Sequence, residues 1–187
     1  VQCVRFESPE RVDSQRSLSV GDREGRLIVP VVFAADDNYV PMLTTTIYSM
    51  LANASPDCFY DICILQNGIT GRNQEIMREF FSRFPNAALR FLDAGRIVSG
   101  YNLTTNNAHI GIETYFRFVI QDALPFYDKV LYLDSDLIVE GDVSELFRHD
   151  VAGYDLAAVR DVDYLGNLNM KDGNRLEYTR TVLEMDE

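Results

Sequence analysis

The amino-acid sequence predicts an α/β fold built on a mostly parallel sheet. Two observations carry this prediction. Continuous apolar runs, typical of strands buried on both faces, alternate with segments of helical periodicity, and acidic residues follow the ends of several strands. Strands that alternate with helices imply right-handed crossovers, with helices covering both faces of the sheet. Since ligands of such sheets bind beyond the carboxyl ends of the strands, those ends are where a functional site is expected.

Five segments are predicted as strands. The run Leu27–Ala35 (LIVPVVFAA) is apolar throughout and bounded by charge, and Pro30 near its start is tolerated at a strand end. The other four predicted strands are Tyr60–Leu65, Leu89–Leu92, Lys129–Leu133 and Leu156–Arg160.

Helical periodicity occurs between these strands. Apolar residues recur at helical spacing in Val40–Leu51, and Thr70–Phe84 is amphipathic with Thr70 as its candidate N-cap. Glu113–Gln121 is also predicted as a helix, and Ser144–Phe147 as one helical turn. These segments are expected to pack against the sheet.

Composition restricts the class of protein. The chain has 187 residues, 47% of them hydrophobic, which suits one domain or part of one. Seventeen Lys and Arg against 29 Asp and Glu give a formal charge of -12, so a nucleic-acid partner is not expected. A ligand with phosphates would need a cation to accompany it, most simply a divalent metal.

Other classes are also not expected. No run approaches the roughly eighteen apolar residues of a membrane span, and the sequence from Val1 has no signal-peptide pattern. Cys3, Cys58 and Cys63 form no CxxC motif, so we expect reduced thiols and no structural zinc, with Cys63 in a strand interior.

Residues 1–27 are expected to be a flexible arm or linker, because Glu7–Arg26 is polar without a sustained period, and residues 28–187 to form the domain.

The first acidic strand end is Asp36-Asp37-Asn38-Tyr39. A carboxylate there can accept hydrogen bonds from a base or a ribose, and the alternative is capping of the helix that follows. The GxGxxG fingerprint is absent, which argues against a nicotinamide or flavin enzyme.

The second acidic strand end is Asp134-Ser135-Asp136, directly after a buried run. Positions i and i+2 of an extended chain face the same side, so the two carboxylates can point the same way and repel each other. Magnesium or manganese removes that conflict by bridging the carboxylates and substrate phosphates. The alternative is a turn in which the Asp side chains cap backbone N–H groups.

Two further positions carry polar groups of interest. His109 and Arg117, in the segment NNAHIGIETYFR, could meet a nucleotide or a phosphate, although Arg117 could equally pair with Glu113 four residues earlier. Asp161 stands at the end of the last predicted strand, and its alternative is a solvated loop.

Taken together and in this order, these pieces resemble glycosyltransferase family 8, which includes bacterial lipopolysaccharide glucosyl- and galactosyltransferases and the glycogenins. The resemblance runs from about Val29 to Asp161 and rests on FAADDNY (Phe33–Tyr39), HIGIETYFR (His109–Arg117) and KVLYLDSDLIVEGDVSELF (Lys129–Phe147). It implies a GT-A fold, a Rossmann-like α/β sandwich. It also implies transfer of a hexose, with retention of configuration, from UDP-glucose or UDP-galactose to a glycan or lipid-linked saccharide acceptor of lipopolysaccharide type.

The resemblance also implies roles for individual residues on the nucleotide. Ala34, Asp36 and Asn38 look like the positions that recognise uridine, and Tyr39 looks like the residue beneath the uracil. Ser135 is expected near the ribose.

The remaining implied roles concern the diphosphate and the sugar. Asp134 and Asp136 resemble the metal-binding DxD pair, which would hold Mn²⁺ or Mg²⁺. His109 and Arg117 match positions that approach the nucleotide and the donor sugar. Asp161 matches an acid that contacts the sugar hydroxyl groups, and Arg117 and Asp161 are the candidate catalytic residues.

The sequence departs from the family pattern after the DxD strand. The FNAG or FNSG segment and the distal H-x-x-G-x-x-K-P-W element, which brings a third metal ligand and a lysine, are not found before Glu187, and the chain has no Trp. The chain is therefore expected to be the donor-binding N-terminal portion of a longer, cytoplasmic transferase that sits at the inner membrane face. By itself it is expected to turn over weakly or not at all, and to self-associate through an incomplete sheet.

Two rival interpretations remain. One is a nucleotide-sugar-binding module without catalysis. The other is a haloacid dehalogenase-type phosphatase, which also places a DxD after a buried strand. Leu137 and Ile138 stand where that group has a small residue and a Thr, and FAADDNY has no role there.

Overall fold

The structure, a computed structural model, describes residues 25–98 and 111–159 together with Glu177, Arg180 and Thr181. The described residues fall into two compact units. One unit contains 25–98 and 111–149, and the other contains the described residues from 150 onward. The predicted arm lies almost entirely outside the described residues, and the predicted domain boundary at residue 28 stays a prediction.

A four-stranded parallel sheet forms the centre of the larger unit. Its strands are β1 (Leu27–Asp36), β2 (Cys58–Asn67), β3 (Ala87–Asp93) and β4 (Leu131–Tyr132). Their spatial order is β3-β2-β1-β4. β1 pairs with β2 over its whole length, and Asp36 at its end lies beside Asn67. β4 adds only two pairs, Leu131 with Val31 and Tyr132 with Val32. The predicted mostly parallel sheet is confirmed.

The helices lie between these strands. They are α1 (Val40–Ala52), α2 (Gly71–Phe81), α3 (Ala94–Val98), a 3₁₀ helix (Ile112–Val119), α4 (Ile120–Ala123) and α5 (Val143–Phe147). Thr70 caps α2 as predicted, because its side chain accepts a hydrogen bond from the Asn73 N–H at 3.3 Å. No helix in the described part of the chain is both long and apolar enough to span a membrane.

The predicted helix over Glu113–Gln121 differs from the structure, which has the 3₁₀ helix followed by the single turn of α4. Two features of the sequence explain the difference. The segment is rich in aromatic and β-branched residues, which favour an α-helix only weakly. Its buried residues Phe116 and Val119 are three positions apart, and residues at that spacing line up on one side of a 3₁₀ helix.

Both faces of the sheet are covered, which explains the uninterrupted apolar runs. On one face, Val31 and Phe33 of β1 belong to a core that α1, α2 and α5 complete. On the other face, Val32 belongs to a second core with Phe116 of the 3₁₀ helix and Leu124. Since neighbouring strand positions face opposite sides, β1 is apolar at successive positions because each of its two sides is buried in a core.

A charged pair is buried under the second face. Asp61 of β2 is fully buried, and the Nε of Arg90 on β3 donates to its Oδ1 at 2.9 Å. The other carboxylate oxygen of Asp61 accepts from the Arg90 guanidinium and from the Tyr127 hydroxyl. Cys63, two residues along β2, is a free thiol, and burial raises its pKa to about 12. Cys63 therefore stays protonated and unreactive in the folded protein, as its predicted place in a strand interior suggests.

The last predicted strand, Leu156–Arg160, is wrong over its described residues. In the smaller unit, the Tyr154 N–H bonds the Val151 carbonyl at 3.0 Å in a turn, and residues 156–159 have no regular structure. A four-residue run with two alanines has a weak preference for strand, which explains the difference.

Asp142 joins the start of α5 to β2 and makes stability depend on pH. Its carboxylate accepts from the Ser144 N–H at 2.9 Å and from the Tyr60 hydroxyl at 2.5 Å. Burial acts to raise the pKa of Asp142, but the hydrogen bonds from Ser144 and Tyr60 outweigh it and lower that pKa below 3.8. A lowered pKa in the folded state gives stability that is present above the unfolded pKa and is lost as the pH falls through the folded pKa.

We expect Asp142→Asn to lower the midpoint of urea unfolding at pH 7 and to approach the wild type as the pH falls through the lowered folded-state pKa, where the wild-type carboxylate also becomes protonated. Urea titrations at a series of pH values measure this. Asp57→Asn, at an exposed position before β2, is the control and should follow the wild type throughout. A constant difference between Asp142→Asn and the wild type at every pH would contradict the prediction.

Candidate functional site

A cleft of about 520 Å³ opens at the carboxyl ends of β1 and β4. Three chain segments line it: Ala34, Ala35, Asp36 and Tyr39; Gly111, Glu113, Thr114 and Arg117; and Tyr132, Asp134, Ser135 and Asp136. Its place agrees with the rule for parallel sheets, and its size is that of a small-molecule site.

The end of β1 shapes one wall. Asp36 lines the cleft, and its carboxylate accepts from the Tyr39 N–H and from the Asn38 side-chain amide, both at 3.0 Å. Asp36 therefore orders the turn into α1 while it also faces the cleft. Ala34 and Tyr39 line the cleft as well, whereas Asn38 does not and is bound to Asp36.

The neighbouring acid has a different task. The Asp37 carboxylate accepts from the Thr70 N–H and the Asn73 side chain, both at 2.8 Å, and these hydrogen bonds lower its pKa. Asp37 therefore joins the end of β1 to the start of α2, and of these two acids only Asp36 lines the cleft.

The segment after β4 forms the opposite wall. Asp134 and Asp136 both line the cleft, which agrees with their expected common side. Ser135 between them is buried, and its hydroxyl donates to the Ala34 carbonyl at 2.7 Å. This hydrogen bond joins the two predicted acidic strand ends directly.

Three polar side chains of α1 form hydrogen bonds with the segment that follows β4. Thr46 contacts Ser135 and Leu137, and Ser49 and Asn53 contact Val139. This row of polar residues was not predicted from the sequence. The available signal was its spacing, because positions i, i+3 and i+7 share one side of a helix whose neighbouring residues are buried in the core.

Arg117 reaches across the cleft to Asp134. Its guanidinium nitrogen lies 3.3 Å from Asp134 Oδ1, and its Nε donates to the Thr114 carbonyl at 2.9 Å. Glu113, the alternative partner, accepts from Asn67 at 2.9 Å. Because the side chains of Arg117 and Asp134 are 39% and 57% exposed, their ion pair is weak and can exchange for a ligand.

Tyr132 is a second residue that sequence reasoning missed. It lines the cleft, and the Arg117 guanidinium lies 4.9 Å from the centre of its ring. Burial raises the pKa of Tyr132, and the nearby Arg117 charge only partly opposes this, so the phenol is neutral. Its position two residues before Asp134, on the same side of the strand, was the available signal.

His109 and Asp161 lie outside the described residues. Their predicted roles stay predictions.

The cleft is acidic. Of its lining residues in the described ranges, Asp36, Glu113, Asp134 and Asp136 are acidic and Arg117 is the one cation. Among residues 25–98 and 111–159, no three His, Cys, Asp or Glu side chains come together as a metal site. The donor set therefore does not suit a closed metal centre. It suits Mg²⁺ or Mn²⁺, which one or two carboxylates can hold when phosphates and water complete the shell.

Solved structures similar to this chain are glycosyltransferases. An apo structure of the bifunctional glycosyltransferase WbbM matches 90% of this chain and 30% of its own, with a TM-score of 0.75 and 29% identity. A structure of the galactosyltransferase LgtC in complex with donor and acceptor sugar analogues matches 78% of this chain and 53% of its own, with a TM-score of 0.61 and 30% identity. The predicted GT-A type fold is confirmed, and the described α/β unit is part of such a transferase domain.

The sequence comparisons agree. Residues 30–182 match the model of glycosyl transferase family 8, and the chain belongs to this family. Glycosyltransferase GlyF of Streptococcus pneumoniae serotype 4 is 34% identical over 136 residues, which are 71% of this chain and 31% of GlyF. General stress protein A of Bacillus subtilis is 28% identical over 150 residues, 78% of this chain and 51% of that protein. The chain thus spans about a third to a half of the length of these relatives.

Proposed function

We propose that residues 28–187 form the donor-binding part of a retaining hexosyltransferase. The donor is UDP-glucose or UDP-galactose, the acceptor is a glycan or lipid-linked saccharide of lipopolysaccharide type, and transfer depends on Mn²⁺ or Mg²⁺. One observation carries the proposal. The two acidic strand ends, 101 residues apart at the Ser135–Ala34 hydrogen bond, meet in one cleft of suitable size.

The nucleoside is assigned to the β1 side. Each oxygen of the Asp36 carboxylate accepts one hydrogen bond within the protein and has a further lone pair for a uracil N–H or a ribose hydroxyl. The Tyr39 ring is 45% exposed and offers a face for stacking beneath the base. Asn38 is proposed to hold Asp36 in place, Ala34 to contact the nucleoside through its backbone, and Ser135 to lie near the ribose.

The diphosphate is assigned to the β4 side. Asp134 and Asp136 would hold the divalent cation, which when bound neutralises the diphosphate and acts as a Lewis acid toward the departing UDP. Arg117 would leave Asp134 and turn to a phosphate or the donor sugar, since their present ion pair is half-exposed. His109 is proposed to approach the nucleotide.

The sugar is assigned to Asp161 and Arg117 as candidate catalytic residues. A carboxylate beside the anomeric carbon stabilises the positive charge that develops there in glycosyl transfer. The acceptor is proposed to be bound by parts of the protein outside the described residues. We place the whole protein in the cytoplasm at the inner membrane face, and propose that the chain self-associates.

Titration calorimetry of UDP into the chain, with Mn²⁺ and with EDTA, tests the proposal. We expect binding that Mn²⁺ tightens about tenfold or more, because an acidic cleft repels a diphosphate that has no cation. ADP is the control ligand and should bind more weakly, since Asp36 and Tyr39 are assigned to the uracil. If a chain shown to be folded by circular dichroism binds no UDP under either condition, the proposed function is wrong.

A further inference from the structure

Three consecutive threonines of α1 have different hydrogen-bond partners. The Thr44 and Thr45 hydroxyls donate to carbonyls one turn back in their own helix, at 2.7 and 3.0 Å. The hydroxyl of Thr46 instead contacts the segment after β4. Its oxygen accepts from the Leu137 N–H at 2.9 Å, and its single proton has two acceptors in reach, the Ser135 carbonyl at 3.0 Å and the Leu137 carbonyl at 2.9 Å. Thr46 is fully buried, so water cannot replace these contacts.

Two of the groups that Thr46 contacts, the Ser135 carbonyl and the Leu137 N–H, lie on either side of Asp136. Fixing the Ser135 carbonyl and the Leu137 N–H fixes both peptide groups next to Asp136, and with them the direction of its Cα–Cβ bond. Among the described residues, none donates a hydrogen bond to the Asp136 carboxylate. The direction of this carboxylate therefore depends on its backbone.

The other two residues of this polar row, Ser49 and Asn53, hold a different part of the segment after β4. Ser49 and Asn53 hold Val139, three residues beyond Asp136. Loss of the Thr46 hydroxyl would thus free the peptide groups at Asp136 while the following segment stays attached to α1.

We propose that Thr46 is a positioning residue for the cation site, and this inference rests on the proposed function. Its hydroxyl keeps the Asp136 carboxylate aimed into the cleft, where a divalent cation shared with a diphosphate needs it. Ser135 fixes the same turn from the other side through its bond to Ala34. Partners behind the ligands of a metal commonly control its affinity in this way.

The test measures the Mn²⁺ concentration that gives half-maximal UDP binding, and the UDP affinity in EDTA. Thr46→Val keeps the shape and removes the hydroxyl, and Thr46→Ser keeps the hydroxyl. Thr45→Val is the matched control, because its hydroxyl bonds only within α1. We expect Thr46→Val to raise the Mn²⁺ midpoint about tenfold or more, with UDP affinity in EDTA unchanged. Thr46→Ser and Thr45→Val should follow the wild type.

Ser49→Ala separates positioning from stability. It loosens the same segment at Val139, so it should lower the melting temperature and leave the Mn²⁺ midpoint unchanged. If Thr46→Val does not fold, Thr46→Ala serves as the hydroxyl-free variant in the same titration.

Two results would overturn the inference and leave the proposed function intact. One is a Mn²⁺ midpoint within twofold of a metal-dependent wild type in the hydroxyl-free variants. The other is a midpoint in Thr46→Ser as high as in Thr46→Val, which would assign the effect to packing. A wild type that binds UDP without metal dependence, or not at all, would overturn the proposed cation site and this inference with it.

Discussion

Asp134→Asn is expected to remove nearly all of the metal-dependent affinity for UDP, a loss of about tenfold or more that equals the gain Mn²⁺ gives the wild type, since even residues behind a metal ligand cost about 10–100-fold. The substitution keeps the shape of the side chain and removes the charge that a hard cation requires. It also removes the partner of Arg117. The same calorimetric titration, with Mn²⁺ and with EDTA, measures the loss.

The control for this prediction is Asp128→Asn, which changes the net charge of the chain equally at an exposed position outside the cleft lining. It should bind UDP and Mn²⁺ as the wild type does. UDP affinity in EDTA should not fall in Asp134→Asn, because that affinity comes from the β1 side and the substitution removes one charge that repels the diphosphate. Equal metal dependence in Asp134→Asn and the wild type would contradict the DxD assignment.

Arg90→Ala is expected to lower the free energy of unfolding by about 3–5 kcal/mol, because it leaves the buried Asp61 carboxylate without its counter-charge. The side chains of Arg90 and Asp61 are 14% and 0% exposed, so water cannot take the place of the guanidinium. Tyr127 still donates to Asp61, but one neutral donor does not balance a buried charge. Urea unfolding followed by circular dichroism measures the change.

The same chain offers a matched control in Arg96, which pairs with Asp93 at 3.1 Å with side chains that are 88% and 48% exposed. Surface pairs of this kind contribute about 0–1 kcal/mol, so Arg96→Ala should be nearly neutral. The double variant Asp61→Asn, Arg90→Met removes both buried charges and should recover much of the stability that Arg90→Ala loses. Equal losses in Arg90→Ala and Arg96→Ala would show that burial does not matter for the pair.

The main elements of the fold could be predicted because burial determines the pattern of residues. β1 and β2 lie between two helical layers, so their sequences are almost entirely apolar, and Thr70 before α2 has the side chain that a helix start requires. The type of helix after residue 111 was harder to predict, because an amphipathic pattern of eight residues does not distinguish a 3₁₀ helix from an α-helix.

The candidate site was predictable in part for a similar reason. Asp36, Asp134 and Asp136 interrupt apolar runs at strand ends, where packing gives no reason for an acid, and the structure brings all three to one cleft. Thr46 and Tyr132 were missed because the spacing that marks each of them does not show what the residue contacts. The partner of Thr46 is 89 residues away, and that of Tyr132 is Arg117 on the 3₁₀ helix, and only the tertiary structure brings such pairs together.

The short pairing of β4 with β1 has a consequence for the lifetime of any complex. Two residue pairs and the hydrogen bonds from the Leu133 N–H to Val32 and from the Ser135 hydroxyl to Ala34 hold the β4 wall of the cleft to β1, whereas ten pairs join β1 to β2. Local openings of a protein occur where the fewest contacts must break. A ligand that touches both walls loses its contacts with one of them when the β4 wall separates from β1, so the rate of that opening contributes to its residence time. Such a ligand in turn cross-links segments about a hundred residues apart and slows the opening that would release it.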